Sequence, residues 1–313
     1  MKVVLAPLAG FTDAPFRRLC REGGADKTYT EMVSAAGLAH GSSPTRHLME
    51  MLPDEGPVSC QIFGSKESDV AFASSVVSDA FCEINLNAGC PMTKVTREGA
   101  GAKLIDDPEK IYRLLKAMSE NTSLPITLKT RIGPNPGRTN AFELLDAAEK
   151  AGAKEIIFHA RYTSQMHGGE VHLDTLAELV SRASIPVIGN GGVKDFKSAL
   201  EMAKTGVAAV MVGRAALGDP FIFSAIKEGR KADGAGGALM CEKHLSLLLQ
   251  FRDILAERFP NDHISSPDAF ASVKMHTHLF RYFSGLPGAA KLRPRLNMVR
   301  KLSEIYDIIH SYV

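Results

Sequence analysis

The runs EIIFH (Glu155–His159), IPVIG (Ile185–Gly189) and AAVMVG (Ala208–Gly213) repeat one short apolar unit, and they decide the fold class. Each is apolar on both faces, as parallel strands are when helices cover both sides of their sheet. A helical pattern, Lys194–Thr205, lies between the last two runs, and Gly206 stands where such a helix would end. The three runs therefore predict successive βα units.

Five similar runs lie upstream and bring the total to eight. They are Val3–Pro7, Lys27–Met32, Val58–Phe63, Cys82–Asn87 and Pro125–Ile132. Most of the eight begin 23 to 31 residues apart, the length of one βα unit. Eight such units favour closure into a (β/α)₈ TIM barrel over an open doubly wound sheet. No G-x-G-x-x-G follows the first run, which also disfavours a Rossmann sheet.

The chain has 313 residues, more than the roughly 250 that one barrel uses. A polar, glycine-rich stretch, Gly229–Gly237, indicates a linker. Helical patterns follow it near 241–259, 266–284 and 289–311. We therefore predict an α/β barrel domain over residues 1–232 and a small all-helical domain over residues 238–313.

Composition excludes several classes of protein. The chain is 45% hydrophobic and 23% charged, which is typical of a globular protein, and it has no apolar run long enough to span a membrane. Its five cysteines are scattered and form no C-x-x-C pair. This pattern predicts a reducing, cytoplasmic location and neither a disulfide framework nor a metal site. Nothing in the sequence indicates an obligate protein partner.

Positive charge is concentrated near the C-terminus. Residues 230–313 carry 12 Lys or Arg against 8 Asp or Glu, and Ala269–Ser303 contains no acid. The basic side chains of this stretch are Lys274, Arg281, Lys291, Arg293, Arg295, Arg300 and Lys301. Such a surplus suits a polyanionic partner, and a solvated helical face is the alternative interpretation.

The C-terminal ends of the strands face the active site of a TIM barrel. All eight ends carry a polar side chain or a small residue, which a purely structural barrel would not need. They are Pro7, Leu8 and Ala9 after the first run, Glu31, Gln61, Asn87 with Cys90, Lys129 with Arg131, His159 with Arg161, Asn190 with Gly191 and Gly192, and Gly213 with Arg214.

The last two ends predict a phosphate site. Barrels often bind phosphate with the loops after strands seven and eight. Gly191, Gly192 and Gly213 can present backbone N–H groups without a Cβ in the way, and Arg214 supplies a forked cation. The alternative is that these glycines only form tight turns.

Two other side chains suggest chemistry. A lysine inside a barrel mouth pays for desolvation unless it meets an anion, and Lys129 is placed that way. It could instead form a Schiff base, as in an aldolase. Cys90 lies in the long segment Ala88–Asp106, where a thiol could donate a proton or act as a nucleophile.

The chain resembles the tRNA-dihydrouridine synthases along nearly its whole length. The segments that carry the resemblance occur in the family's order: APLAGFTDAPFR, TEM, CQIFG, INLNAGCPMTKV, GAGAKLIDDP, ITLKTRIG, IFHAR, IPVIGNGG, VMVGRAALGDPFIF and KMHTHLFRYFSGLPGAAKLR. The combination is specific, although no single piece is.

The resemblance implies an FMN enzyme that uses NADPH, or NADH, to reduce the C5–C6 bond of uridines in tRNA. Hydride would pass from flavin N5 to C6, and Cys90 would protonate C5. The FMN contacts it implies are Pro7, Leu8, Ala9, Gln61, Lys129, His159, Asn190, Gly191, Gly192, Gly213 and Arg214. Substrate contacts are expected from Asn87, Arg131, Arg161, Lys291, Arg293 and Arg295.

The sequence departs from the family pattern at two places. Asn85 stands where the family usually has Asp, and Ala160–Thr163 replaces the usual Gly-Arg-Thr-Arg. We expect the first change to alter a supporting hydrogen bond and the second to affect which uridine is chosen.

Rival interpretations are an FMN barrel that acts on a free pyrimidine, a tRNA-binding protein with a vestigial flavin site, and an aldolase or isomerase barrel.

Overall fold

The structure is a computed structural model that describes residues 1–230, 237–284 and 289–311, without the side chains of Ala290, Lys291 and Arg293. Most of the predicted linker Gly229–Gly237 therefore lies outside the described residues. The same is true of the predicted turn at 285–288.

Within the described residues, nine parallel strands form one sheet that closes into a barrel. They are β1 (Val3–Leu5), β2 (Thr28–Tyr29), β3 (Val33–Ser34), β4 (Val58–Phe63), β5 (Glu83–Ala88), β6 (Ile126–Arg131), β7 (Glu155–His159), β8 (Val187–Asn190) and β9 (Ala209–Val212). The order is β1-β9-β8-β7-β6-β5-β4-β2, and β3 also pairs with β4. Backbone hydrogen bonds from Leu5 to Lys27 (3.0 Å) and from Asp26 to Val3 (2.8 Å) join the two ends. The predicted barrel is confirmed.

The predicted second strand, Lys27–Met32, is wrong in its extent, because only Thr28–Tyr29 of that run forms β2 and the next strand, β3, begins after it at Val33. Between them the hydroxyl of Thr30 accepts a hydrogen bond from the backbone N–H of Gln61 at 2.9 Å. A side chain thus takes the place of a backbone acceptor, and the regular ladder with β4 is interrupted.

Helices follow the strands on the outside of the barrel. They are α1 (Ala14–Glu22), α2 (Ala35–Ala39), α3 (Ser43–His47), α4 (Glu67–Val76), α5 (Thr93–Arg97), α6 (Pro108–Ser119), α7 (Ala141–Lys150), α8 (Leu173–Arg182), α9 (Phe196–Ala203) and α10 (Ile222–Glu228). Side-chain caps set several starts: Asp13 caps α1, Asp107 caps α6 and Asp195 caps α9. The last cap explains why α9 begins after Asp195, two residues later than its sequence pattern.

The C-terminal region is helical, as predicted. It contains α11 (Gly237–Arg258), α12 (Pro267–Tyr282), α13 (Ala289–Met298) and α14 (Leu302–His310). The single helix predicted over 289–311 is wrong, since one helix ends at Met298 and a second begins at Leu302. There the carboxylate of Glu304 accepts hydrogen bonds from the backbone N–H groups of Arg300 (2.8 Å) and Lys301 (3.0 Å) and so starts a new helix. None of the described helices is long and apolar enough to cross a bilayer.

The core follows the alternation of side chains along the strands. On β7, Ile156 and Phe158 pack outward into the main cluster under the helices, whereas Ile157 points into the barrel. There it meets Tyr29 and Met211, which fill the lower interior. The next inward position on β7 is His159, at the mouth. This alternation delivers every second residue of the later strands to the interior.

A buried polar cluster joins the barrel to the C-terminal helices. Asp13 at the start of α1 meets His244 of α11 and His278 of α12, and all three are buried. The Nδ1 atom of His244 lies 2.9 Å from the hydroxyl of Tyr282, and His278 packs on the ring of Phe16, with ring centroids 5.0 Å apart. We call these three side chains the junction cluster.

Candidate active site

A cavity of about 840 Å³ opens at the C-terminal ends of the strands. Most of the residues that line it come from the ends of β1 and of β5 to β9, where the sequence predicts a site. The predicted site residues that it brings together are Pro7, Leu8, Ala9, Asn87, Cys90, Lys129, Arg131, His159, Arg161, Asn190, Gly191, Gly192, Gly213 and Arg214.

Of the remaining predicted residues, the two whose side chains the structure describes are not among the lining. Gln61 is fully buried below the cavity, because both ends of its amide are bonded to Asn85 and Asn87. Arg295 lies on α13 and is exposed. The side chains of Lys291 and Arg293 lie outside the described part of the chain.

The loop after β8 has a backbone that requires glycine. Gly191 and Gly192 have φ angles of +121° and +73°. A Cβ built on Gly191 would lie 2.9 Å from Cδ2 of His159. Neither N–H group, nor that of Gly213, donates a hydrogen bond to the described protein. The loops after β8 and β9 therefore present free donors to the cavity.

The charge of the cavity is strongly one-sided. Its lining includes six cationic side chains, and none of the described residues that line it is Asp or Glu. The cations are Lys129, Arg131, Arg161, Lys194, Arg214 and Arg281. Such a surface binds anions, and the shortage of counter-charge inside the protein leaves it suited to an anionic ligand.

Burial and crowding change the ionisation of this group. Burial and the positive charge of Arg131 together lower the pKa of Lys129 to about 7, while the charge of Cys90 opposes the shift. Burial likewise lowers the pKa of Arg131 to about 10. His159 is kept neutral, since burial and the neighbouring cations Lys129 and Arg131 hold its pKa far below its usual value.

Three arginines hold the segment after β7 beside the cavity. Arg131 donates to the carbonyl of Met166 (2.7 Å), Arg214 to that of His167 (2.9 Å) and Arg161 to that of Gly169 (3.0 Å). The Ala160–Thr163 departure noted in the sequence begins this segment. His167 thereby comes to line the cavity, and its ring stacks with that of His159 at a centroid distance of 6.2 Å.

The family of the chain follows from comparison with known proteins. A family model described as "Dihydrouridine synthase (Dus)" matches residues 4–310. The chain belongs to the dihydrouridine synthase family.

Named relatives agree with this membership. A probable tRNA-dihydrouridine synthase 1 from Synechocystis is 31% identical over 322 residues, covering 100% of this chain and 86% of that protein. A probable tRNA-dihydrouridine synthase from Aquifex aeolicus is 31% identical over 316 residues, covering 99% and 95%. The tRNA-dihydrouridine synthase B of Escherichia coli K12 is 35% identical over 228 residues, covering 72% and 71%.

The backbone around Cys90 of this dihydrouridine synthase is fixed on three sides. Its N–H donates to Oδ1 of Asn87 at 3.0 Å, and its carbonyl accepts from the N–H of Ala102 at 2.8 Å. The guanidinium of Arg131 donates to the carbonyl of Gly89 at 2.8 Å. The half-buried thiol is thus held at the cavity wall by a loop that has little freedom to move.

Sequence reasoning missed three polar residues of the cavity: His167, Lys194 and Arg281. Lys194 comes soon after Gly191 and Gly192, so its place beside the predicted phosphate loop was a usable signal. His167 depends on the three arginine bonds, and Arg281 enters from α12 of the C-terminal region. Neither has a local signal in the sequence.

Proposed function

We propose that this chain is an FMN-dependent tRNA-dihydrouridine synthase, which reduces the C5–C6 bond of particular uridines with NADPH or NADH as the reductant. The observation that carries the proposal is the cavity itself. A thiol, a set of cations without acids, and free glycine N–H groups converge there in a chain that belongs to the dihydrouridine synthase family.

The residues present fit an FMN phosphate. The N–H groups of Gly191, Gly192 and Gly213 and the guanidinium of Arg214 would hold it, because free backbone donors and a forked cation are what a phosphate monoester needs. Lys129 would then hold negative charge on the ring. Pro7, Leu8 and Ala9 would supply apolar contact, and neutral His159 a further hydrogen bond.

Reduced FMN, when bound, supplies the hydride that adds to C6 of uracil. Because the C5–C6 bond is conjugated to the C4 carbonyl, this addition leaves an enolate that needs a proton at C5. Cys90 donates that proton, and the charges of Lys129 and Arg131 stabilise the thiolate that remains. Solvent then returns a proton to the sulfur.

The substrate contacts follow from the same wall of the cavity. Asn87 and Arg161 would contact the uridine that has left the RNA stack, and Arg131 would assist them. The C-terminal helices, which we propose as an RNA-binding domain over residues 238–313, would hold the phosphate backbone through Lys291, Arg293 and Arg295. A tRNA substrate is also our reason to propose the cytoplasm as the location.

The test uses the full chain as purified. We expect flavin absorption in the visible spectrum and dihydrouridine in tRNA after incubation with NADPH. Mass spectrometry of tRNA from a strain that lacks the gene locates the uridines concerned. A protein that binds no FMN when the cofactor is supplied, or tRNA whose dihydrouridine content does not change in the deletion strain, would contradict the proposal.

RNA binding has its own readout. Joint replacement of Arg293 and Arg295 by Gln should weaken tRNA binding and reduce its dependence on salt. FMN affinity should stay the same, because the phosphate and ring contacts proposed above include neither residue. Unchanged tRNA affinity would remove the C-terminal basic stretch from the proposal and leave the chemistry of the cavity standing.

A further inference from the structure

A file of buried polar side chains runs up the inside of the barrel from its closed end to the mouth. Glu83, Asn85 and Asn87 are alternate residues of β5, so all three point inward. Gln61 of β4 and Thr127 of β6 are both in register with Asn85. All five are at most 7% exposed, so each polar atom needs a partner within the protein.

The upper end of this file holds the Cys90 loop. The Oδ1 atom of Asn87 accepts hydrogen bonds from the N–H groups of Gly89 (3.1 Å) and Cys90 (3.0 Å). The amide nitrogen of Asn87 must therefore point the other way, and it donates to Oε1 of Gln61 at 2.8 Å. Only this orientation of the Asn87 amide satisfies both sides.

The same logic fixes each residue below. Nε2 of Gln61 donates to Oδ1 of Asn85 at 2.7 Å, and Nδ2 of Asn85 donates to the hydroxyl of Thr127 at 2.8 Å. That hydroxyl donates to Oε1 of Glu83 at 3.3 Å, and Oε2 of Glu83 accepts from the ammonium of Lys27 at 3.0 Å. A carboxylate only accepts and an ammonium only donates, so Glu83 and Lys27 determine the direction of the file at its lower end. The backbone N–H groups that donate to Asn87 determine the same direction at its upper end.

We propose that Gln61 and Asn85 are positioning residues, which fix the Asn87 amide in the orientation that holds the Cys90 loop and hence the thiol against the substrate. Neither lines the cavity, so they act through Asn87. The inference rests on the proposed role of Cys90 as proton donor. It gives Gln61 a task besides the flavin contact expected from the family. It also gives a role to Asn85, which stands where the family usually has Asp, because its amide nitrogen donates to the hydroxyl of Thr127.

The test compares Gln61→Leu with Gln61→Glu. Leu can neither accept from Asn87 nor donate to Asn85, so the rate of a single turnover with prereduced enzyme should fall about 10-fold to 100-fold. A protonated carboxyl group, however, accepts through its carbonyl and donates through its hydroxyl, as the amide does. The Gln61→Glu variant should therefore recover towards the wild-type rate as pH falls, and Gln61→Leu should not.

Asn85→Asp supplies an independent copy of the experiment. Its protonated carboxyl group can accept from Gln61 and donate to Thr127, so it should show the same recovery at lower pH. Ser59→Ala is the matched control, since Ser59 lies on β4, is fully buried and has a hydroxyl that makes no hydrogen bond within the described protein. Its turnover rate should match that of the wild type at every pH.

Two further readouts separate positioning from loss of structure or of function. At the low pH where its rate recovers, the melting temperature of Gln61→Glu should stay close to that of the wild type, because a merely structural role would change it together with the rate. The rate at which iodoacetamide alkylates Cys90, followed by peptide mass spectrometry, should change in Gln61→Leu even if the wild type makes no dihydrouridine.

The outcomes are distinguishable. A wild type without activity contradicts the proposed function, and the alkylation rates still decide the positioning role. The positioning role is contradicted if Gln61→Leu retains the wild-type rate and alkylation, or if the ratio of the Gln61→Glu rate to the wild-type rate is the same at every pH.

Discussion

The two ends of the barrel treat a buried lysine in opposite ways. At the closed end, Lys27 bonds to Glu83 (3.0 Å) and Glu155 (2.8 Å). Burial lowers its pKa, but the two carboxylates outweigh burial and raise the pKa above its usual value. At the mouth, Lys129 bonds to the amide oxygen of Asn190 (3.1 Å), and its pKa falls to about 7 because burial and Arg131 act together.

The difference separates charges that serve the fold from charges that serve a ligand. At the closed end, carboxylates of the protein itself pair with the lysine, so this end needs no ligand from outside. The mouth keeps cations that destabilise the free protein until an anion arrives, which is the usual mark of a functional site. The polar file from Glu83 to Asn87 connects the two ends, so hydrogen bonds that begin at the closed end hold the Cys90 loop at the mouth.

The largest effect should come from the thiol at the mouth. Cys90→Ala removes the proposed proton donor, and we expect single-turnover reduction of uridine in tRNA to slow by about 10²-fold to 10⁴-fold. FMN affinity and melting temperature should not change, because the cysteine side chain forms no part of the phosphate site. Cys82→Ala is the control, since Cys82 is half-buried outside the cavity. A Cys90→Ala rate equal to that of the control would contradict the assignment.

Exchanging each lysine for Met tests the comparison itself. Lys27→Met leaves Glu83 and Glu155 without their cation, and the free energy of unfolding should fall by about 3 kcal/mol. Lys129→Met removes a buried amine whose protonation no carboxylate supports, so the ligand-free protein should be as stable as wild type or more stable, while its FMN affinity falls. Urea unfolding and flavin titration measure both quantities. Equal losses of stability in the two variants would show that the ends do not differ.

The glycine at the phosphate loop should have an intermediate effect. Gly191→Ala places a Cβ at φ +121° and against His159, and we expect FMN affinity to fall about tenfold. Gly206→Ala is the matched control, because Gly206 has φ +88° at the end of α9 and does not line the cavity. It should lose stability and bind FMN normally. Equal FMN affinities in the two variants would contradict the phosphate assignment.

The smallest effect concerns a proton. The pKa of Lys129 is about 7 in the free protein against an ordinary 10.5, so at pH values between these the side chain is neutral when folded and charged when unfolded. An anion beside it raises the pKa, and FMN binding at about pH 8 should therefore take up a proton. Calorimetry in buffers of different ionisation enthalpy measures the uptake. Uptake that persists in Lys129→Met would assign the proton to another group.

Local sequence signals were enough to predict the barrel and most of the cavity. Strand runs recur at βα spacing, and chain order alone brings residues such as Lys129 and Asn190 to one end. What failed depended on contacts between distant segments. The hydroxyl of Thr30 interrupts the ladder after β2, and the amide hydrogen bonds of the file hold Gln61 below the cavity. Arg281 lines the mouth although it belongs to the C-terminal helices. Contacts between residues so far apart in sequence leave no periodic pattern from which they could be predicted.

The junction cluster also joins residues that are far apart in sequence, and it makes the contact between the two parts of the molecule sensitive to acid. Burial and His244 lower the pKa of His278 to about 3, although Asp13 opposes the shift. When α12 separates from α1, the ring of His278 becomes exposed and its pKa returns to the ordinary histidine value. As pH falls below that value, the exposed ring binds a proton whereas the buried ring stays neutral, so acidification favours separation of α12 from α1. Hydrogen exchange of α12 should then accelerate in mild acid before that of the barrel strands, and a His278→Phe variant should lose this dependence. Proton concentration would then set how firmly the C-terminal helices, our proposed RNA-binding domain, are attached to the barrel.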